Sequence, residues 1–352
     1  MPKVILILIM QYDPEFLKSR KPKIYRCLSS TLVLWMSVFC LSSCAHKNQV
    51  KVLKLAHGLN TNHPVHRGIE HMAEKLAEKS SGNLLIEIYP SQQLGTERQS
   101  LELLQIGSLA MTKVSGAVLE NFAPNMQVLG LPYVFRDREH AYDVFDGPIG
   151  EQLLIESVKS RLRGLVFFDA GQRSFYSKEP IRNPDDVIDK KIRVMESVTA
   201  MNYVRSLGGA PTPISWGELY TALQQGIVEG AENNPPSFYS SKHYEICKYY
   251  TLNEHTAVPD VIIISTLVWD ALSDEEKSWI QSAADEAKAY QRKLWIAAEQ
   301  EALAAVKKAG VEVIIPDKTL FAERSKKVLD AFKDDADKYD LIQRIQSSSG
   351  SL

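Results

Sequence analysis

The sequence lacks almost every signature of cofactor or hydrolytic chemistry. Its 352 residues include 18 glycines, yet no two stand as G-x-G and none precedes a lysine, so a dinucleotide fingerprint and a phosphate loop are both missing. It has no G-x-S-x-G elbow and no H-E-x-x-H pair. Cysteine is scarce, and of the four present, Cys27 and Cys40 fall within the first 43 residues. There is no excess of positive charge. The net charge is −2, so a nucleic-acid or anionic-membrane partner has no electrostatic support. The apolar stretch at residues 31–41 is far shorter than the roughly 20 residues a spanning helix needs.

That stretch has a different use. Lys21, Lys23 and Arg26 precede it and Leu41-Ser-Ser-Cys44 follows, the layout of a signal peptide ending at a lipoprotein cleavage site. The reading is a leader over 1–43, lipidation of Cys44, and a polar tether over 44–51. Acyl chains on one residue anchor a protein because each buried methylene contributes about 0.8 kcal/mol. Removing the leader discards 6 basic and 2 acidic residues and leaves a mature chain of net charge −6. Cys247 then has no partner for a disulfide.

Downstream, short apolar runs alternate with helical periodicity. Strands are expected at 52–56, 84–89, 109–114, 163–168, 192–194, 227–231, 261–267 and 311–315. Helices are expected at 64–80, 97–106 (Thr96 as N-cap), 200–207, 217–225, 273–309 and 320–333. Ser273 and Glu276 form a capping-box pattern. The alternation implies an α/β architecture with mostly parallel sheets covered on both faces.

Candidate chemistry is sparse. His63, His66, Glu70 and His71 are the densest potential metal-ligating set, although the same residues read as a polar helix face. Cys247, near His243 and His255, reads as a thiol nucleophile or a small buried side chain. Arg173 follows the strand at 163–168, and Asn233 and Asn234 follow the one at 227–231. Loops at the carboxyl ends of strands are where open α/β sheets bind ligands. Arg193 lies between Ile192 and Val194, so strand alternation turns it to the opposite face, where its planar fork suits a carboxylate. Each of these, taken singly, is equally a surface arginine or a turn amide.

Several segments in order resemble the solute-binding proteins of TRAP transporters, the DctP family: Ala56-His-Gly58, Ile88-Tyr-Pro-Ser-Gln-Gln-Leu-Gly95, Leu131-Pro-Tyr-Val-Phe135, Gly171-Gln-Arg-Ser-Phe175, Lys191-Ile-Arg-Val194, Gly209-Ala-Pro-Thr-Pro213, Glu229-Gly-Ala-Glu-Asn233 and Lys242-His-Tyr-Glu245. The resemblance spans residues 52–315. It implies a two-lobed, Venus-flytrap α/β fold, with residues 52–170 plus about 259–298 in lobe I and 171–258 plus about 299–345 in lobe II. A long helix braces both lobes. It also implies that Arg193 pairs with a ligand carboxylate, Arg173 adds a second donor and Asn233 an amide. Glu97, Ser115 and Lys113 would line the cleft from the other lobe, with Asn60 and Asn234 further out.

Met111-Thr-Lys-Val-Ser115 and Glu232-Asn-Asn-Pro-Pro-Ser-Phe238 resemble the hexuronate-associated branch. The implied function is capture of an organic acid such as glucuronate or galacturonate by cleft closure and delivery to small and large permease subunits. No cofactor, metal or catalytic residue is implied, and the location is periplasmic, on a lipid anchor. The alternatives are a C4-dicarboxylate or aldonate ligand, a subunit that feeds a sensor, and a secreted enzyme using Glu97 with a histidine.

Overall fold

The computed structural model describes residues 50–348, and the leader and Cys44 lie outside these residues. In chain order the strands are β1 (Lys51–Ala56), β2 (Leu84–Tyr89), β3 (Met111–Ser115), β4 (Leu162–Phe168), β5 (Arg173–Ser177), β6 (Lys191–Val194), β7 (Ala210–Pro213), β8 (Gly230–Asn233), β9 (Tyr249–Thr256), β10 (Asp260–Ser265) and β11 (Glu312–Ile314). They form two sheets, one ordered β2-β1-β3-β10-β4 and the other β11-β9-β5-β8-β6-β7. The chain therefore crosses between sheets after β4, after β9 and again after β10.

Most strands in each sheet point the same way, but one in each is reversed. β10 is antiparallel to β3 and β4, and β5 is antiparallel to β8 and β9. The sheets are therefore mixed rather than parallel. β10 is buried along its whole length, which is why Val261-Ile-Ile-Ile264 reads as a continuous apolar run.

The helix Pro64–Lys79 starts with proline at its first turn, and His63 Nδ1 accepts the Val65 N–H at 3.2 Å. Its buried face, Val65, Ile69, Met72 and Leu76, packs with β1 and with Ile280, Ala284, Ala287 and Trp295 of the long helix Asp274–Lys308. At 1.5 Å per residue that helix is about 52 Å long, enough to serve both sheets. Its Val306 sits in the core of the second sheet with Tyr176, Leu219 and Tyr250. Ser273 and Glu276 do form a capping box at its start, and Thr96 with Gln99 forms another.

Three differences from the sequence reading matter. The strand expected at 227–231 begins later, at Gly230. Gly226 is left-handed (φ 74) and Ile227 is exposed, so 227–229 is a link. A Cβ on Gly230 would lie 2.6 Å from Tyr176 O, so β5 and β8 require glycine there. Second, Arg173–Ser177 is a strand, not a loop. Third, the helix Lys318–Asp330 is followed by another, Ala336–Ser347. Phe321 of the former packs beside Phe175 and Ile192 under the second sheet. Leu341, Ile342 and Ile345 of the latter return to the first-sheet core beside Val128 and Leu129. The C-terminal helix therefore packs with lobe I, not with lobe II as the 299–345 boundary expects.

Candidate functional site

A cleft of about 700 Å³, counting the space open to solvent at its mouth, lies between the sheets, at the carboxyl ends of β3, β6 and β8 and the amino ends of β5 and β10. Its mouth is narrow. Gln92 of lobe I packs on Gly217, where a Cβ would lie 2.2 Å from Gln92 Oε1, and Asn121 Nδ2 donates to Glu196 O at 2.8 Å. Ser91 and Gln92 are both left-handed without being glycine (φ 55 and 59), a local strain that sets this lip.

On the second-sheet side, Arg193 is 2% exposed. Its Nε donates to Ile214 O at 2.9 Å, and its guanidinium lies 5.9 Å from the Trp216 ring centroid. Its Nη1 is buried without a hydrogen-bond partner. Burial pulls the Arg193 pKa below the ordinary arginine value, with nearby Arg173 adding to the effect. A buried, charged fork with an open donor is an anion socket.

Arg173 differs sharply. Its Nε and Nη2 grip the Glu232 carboxylate, Nη2 at 2.9 Å, and Nη2 also reaches Glu232 O at 2.8 Å. Nη1 donates to Asn233 Oδ1 at 2.9 Å. Burial pushes the Glu232 carboxyl upward, but Arg173 and His255 outweigh it and hold it down at about 2. His255 Nε2 lies 3.6 Å from Glu232, and its ring stacks against both Phe175 and Tyr203, which also stack on each other. Burial drives the His255 pKa down, although Glu232 opposes this.

The lobe I wall is a second ion cluster. Lys113 is 3% exposed and donates to Glu97 Oε1 at 2.9 Å and to Asp260 Oδ1 at 3.2 Å. Glu97 opens the helix Glu97–Gln105, and its other oxygen accepts the Ser115 N–H at 3.2 Å. Ser115 Oγ in turn caps the next short helix at Ala117 N. Burial and the like charge of Glu97 raise the Asp260 pKa, although Lys113 opposes both.

The cleft thus gathers Arg193, Arg173, Asn233, Asn234, Glu97, Ser115 and Lys113. Asn60 is not among its lining residues: its amide donates to Ser240 O at 3.1 Å and its Oδ1 accepts from Asn62 N at 3.0 Å. Asn234 lines the cleft, but its side chain is already used, capping Ser237 N at 2.8 Å and donating to Ala170 O at 2.9 Å. Asn233 Oδ1 also accepts from two groups, Arg173 and Asn234 N, which leaves its amide N–H groups for a ligand. Sequence reasoning did not single out Glu232, Asp260 or Trp216, and only the alternation of β8 could have pointed to the first.

Two histidines outside the cleft, His57 and His66, form a hydrogen-bonded series. Leu59 N donates to His57 Nδ1, His57 Nε2 reaches His66 Nδ1 at 2.9 Å, and His66 Nε2 faces Glu70 at 3.3 Å. Burial takes His57 down to about 3. Cys247 is buried, which pushes its thiol up to about 12 and removes the thiolate a nucleophile needs.

Two α/β lobes around a deep cleft with an open arginine socket define a ligand-capturing protein rather than a surface-recognition module. The chain belongs to the bacterial extracellular solute-binding protein family 7, the DctP family, whose sequence model matches residues 55–335. The fold is that of a TRAP periplasmic solute-binding protein from Xanthobacter autotrophicus Py2, solved with β-D-galacturonate (TM-score 0.82, 37% identity, 84% of this chain and 100% of that one). A Pseudomonas putida F1 relative solved with D-glucuronate aligns equally well (TM-score 0.82, 32% identity, 85% and 98%). The uncharacterized protein YiiZ of Salmonella typhimurium is 37% identical over 300 residues, 84% of this chain and 91% of that one.

Proposed function

We propose that this protein captures a hexuronate, glucuronate or galacturonate, outside the cytoplasm and hands it to the membrane subunits of a TRAP transporter. The observation that carries the reading is Arg193, a buried guanidinium whose Nη1 has no partner in a cleft otherwise furnished with hydrogen-bonding groups. The ligand carboxylate occupies that fork. Its hydroxyls meet Asn233 on one side and Glu97, Lys113 and Ser115 on the other. Because both lobes then contact one molecule, the ligand favours the closed state over the open one. The lobes that move follow the sequence reading, 52–170 with 259–298 and 171–258 with 299–345, except that the helix Ala336–Ser347 travels with the first. The uronate-bound solved relatives described above support the ligand class.

Calorimetry with glucuronate, galacturonate, gluconate, succinate and malate tests this. Binding of a uronate at micromolar or tighter affinity is expected. Tight succinate binding without any sugar acid would overturn the ligand assignment and favour the dicarboxylate reading. The lipid on Cys44 belongs to the same proposal, and it would tether the protein to a bacterial membrane within the periplasm. Mass spectrometry of the mature N-terminal peptide should find an acylated cysteine, and a free N-terminal peptide cut elsewhere would refute it.

A further inference from the structure

The charges that line the cleft, with Glu232 behind Arg173, balance in a way that specifies the ligand's charge as well as its class. Three cations face three carboxylates: Arg173 is locked to Glu232, and Lys113 is shared between Glu97 and Asp260. Arg193 alone among these cations has no carboxylate partner. Arg98 at the rim is exposed and held by Glu102 at 3.2 Å, and Glu196 adds a further acidic group there. The two walls meet at the mouth, where Gln92 packs on Gly217 and Asn121 donates to Glu196 O, so Glu97 and Arg193 line one narrow cleft.

From this arrangement we infer that Glu97, Asp260 and Glu232 make the cleft a monoacid site, which admits one carboxylate at Arg193 and rejects a second at the far end. This deepens the uronate reading and rests on it for the place of the first carboxylate. A polyol end suits the lobe I wall, because hydroxyls donate to Glu97 and Asp260 and accept from Lys113 without adding charge. A carboxylate there meets two acids across a single lysine that both already hold. Like charges brought together in a desolvated site cost several kcal/mol. Glu97 is the specificity-determining residue of the three, since it stands at the helix start with one oxygen on Lys113 and the other on Ser115 N.

The test compares each acid with the diacid of the same carbon skeleton: galacturonate with galactarate, glucuronate with glucarate, and erythronate with meso-tartrate. Calorimetry on the wild-type protein should show the diacid at least about 100-fold weaker than its monoacid. In Glu97→Gln, which keeps the shape and removes the charge, that ratio should shrink by about tenfold or more through gain of diacid affinity. A merely structural role for Glu97 would weaken both members of a pair together. The wild-type ratios need no variant to fold. Equal affinity within any pair, or a ratio unchanged in Glu97→Gln, overturns the inference. If no uronate binds but erythronate is preferred over meso-tartrate, the hexuronate reading fails and the charge rule stands. If none of these acids binds, both fail.

Discussion

Gln291 of the long helix grips the backbone of Asp169 in both directions: its Oε1 accepts the Asp169 N–H at 2.9 Å and its Nε2 donates to Asp169 O at 2.7 Å. Asp169 stands where the chain leaves β4 for the second sheet. Its own carboxylate accepts the Gly171 N–H at 2.8 Å and bonds the Tyr142 hydroxyl. Gly171 is left-handed (φ 58), and a Cβ there would run into Trp295 and Glu299 of the same helix. The crossing after β4 is thus pinned to the long helix.

Gln291→Ala should therefore destabilise the protein by roughly 2–5 kcal/mol, since it leaves a buried N–H and C=O without partners. Urea denaturation reads this as a lower midpoint. A change under about 0.5 kcal/mol would mean that water or a shifted side chain replaces the clamp.

Arg193 gives two predictions of opposite sign. Arg193→Ala should lose roughly 2–5 kcal/mol of ligand affinity, and Arg193→Lys should also bind poorly, because a point charge cannot form the bidentate fork. The ligand-free protein should behave otherwise. Arg193→Met removes a buried charge whose Nη1 has no partner, so stability without ligand should hold or rise. Calorimetry and denaturation on the same samples separate the two. Unchanged affinity in Arg193→Ala, or a stability loss in Arg193→Met above about 2 kcal/mol, contradicts the assignment.

Glu232 makes a pH prediction. Its pKa falls from 4.5 in the unfolded chain to about 2 in the fold. The associated stabilisation is fully present above pH 4.5 and is lost as pH falls through 2, on the order of 3 kcal/mol across that window. Glu232→Gln should lack this acid limb. Near neutrality it should cost roughly 3–5 kcal/mol, because it strands Arg173 in the interior. Denaturation midpoints from pH 6 down to 2.5 for both proteins give the comparison. The two curves should converge toward low pH, and parallel curves would contradict the pairing.

Glu232 also marks where sequence reading stops. The strands and caps that rest on local pattern were legible: the all-buried run in β10, the N-cap at Thr96, the capping box at Ser273, and the turn of Arg193 to the face opposite Ile192 and Val194. Arg193 could be read because its meaning lies in its two neighbours. The meaning of Glu232 lies in Arg173, 59 residues away, and that of Asp260 in Lys113, 147 away. No periodicity reports such pairs. Only the folded structure brings a carboxylate to Arg173 and to Lys113 and leaves Arg193 without one. β5 and β9 were missed for a related reason: their polar residues Ser174, Asn253 and His255 are buried by the second sheet and its neighbours, so the strands carry no clean apolar run.

Trp216 supplies the last prediction. It opens the helix Trp216–Gln225, lines the cleft, and lies within reach of both the Arg193 guanidinium and Gly58 on the opposite lip. An aromatic face at a closing mouth suits the apolar C–H face of a sugar ring, so Trp216→Ala should weaken uronate binding by about 1 kcal/mol beyond any loss of buried area. The residue is also a reporter. Five tryptophans are present in the chain; among the described residues Trp295 is fully buried away from the cleft and Trp216 alone lines it. Ligand addition should change the intrinsic fluorescence of the wild-type protein and leave Trp216→Phe nearly silent while that variant still binds by calorimetry. A full fluorescence response in Trp216→Phe would show that the signal arises elsewhere and that the ring does not meet the ligand.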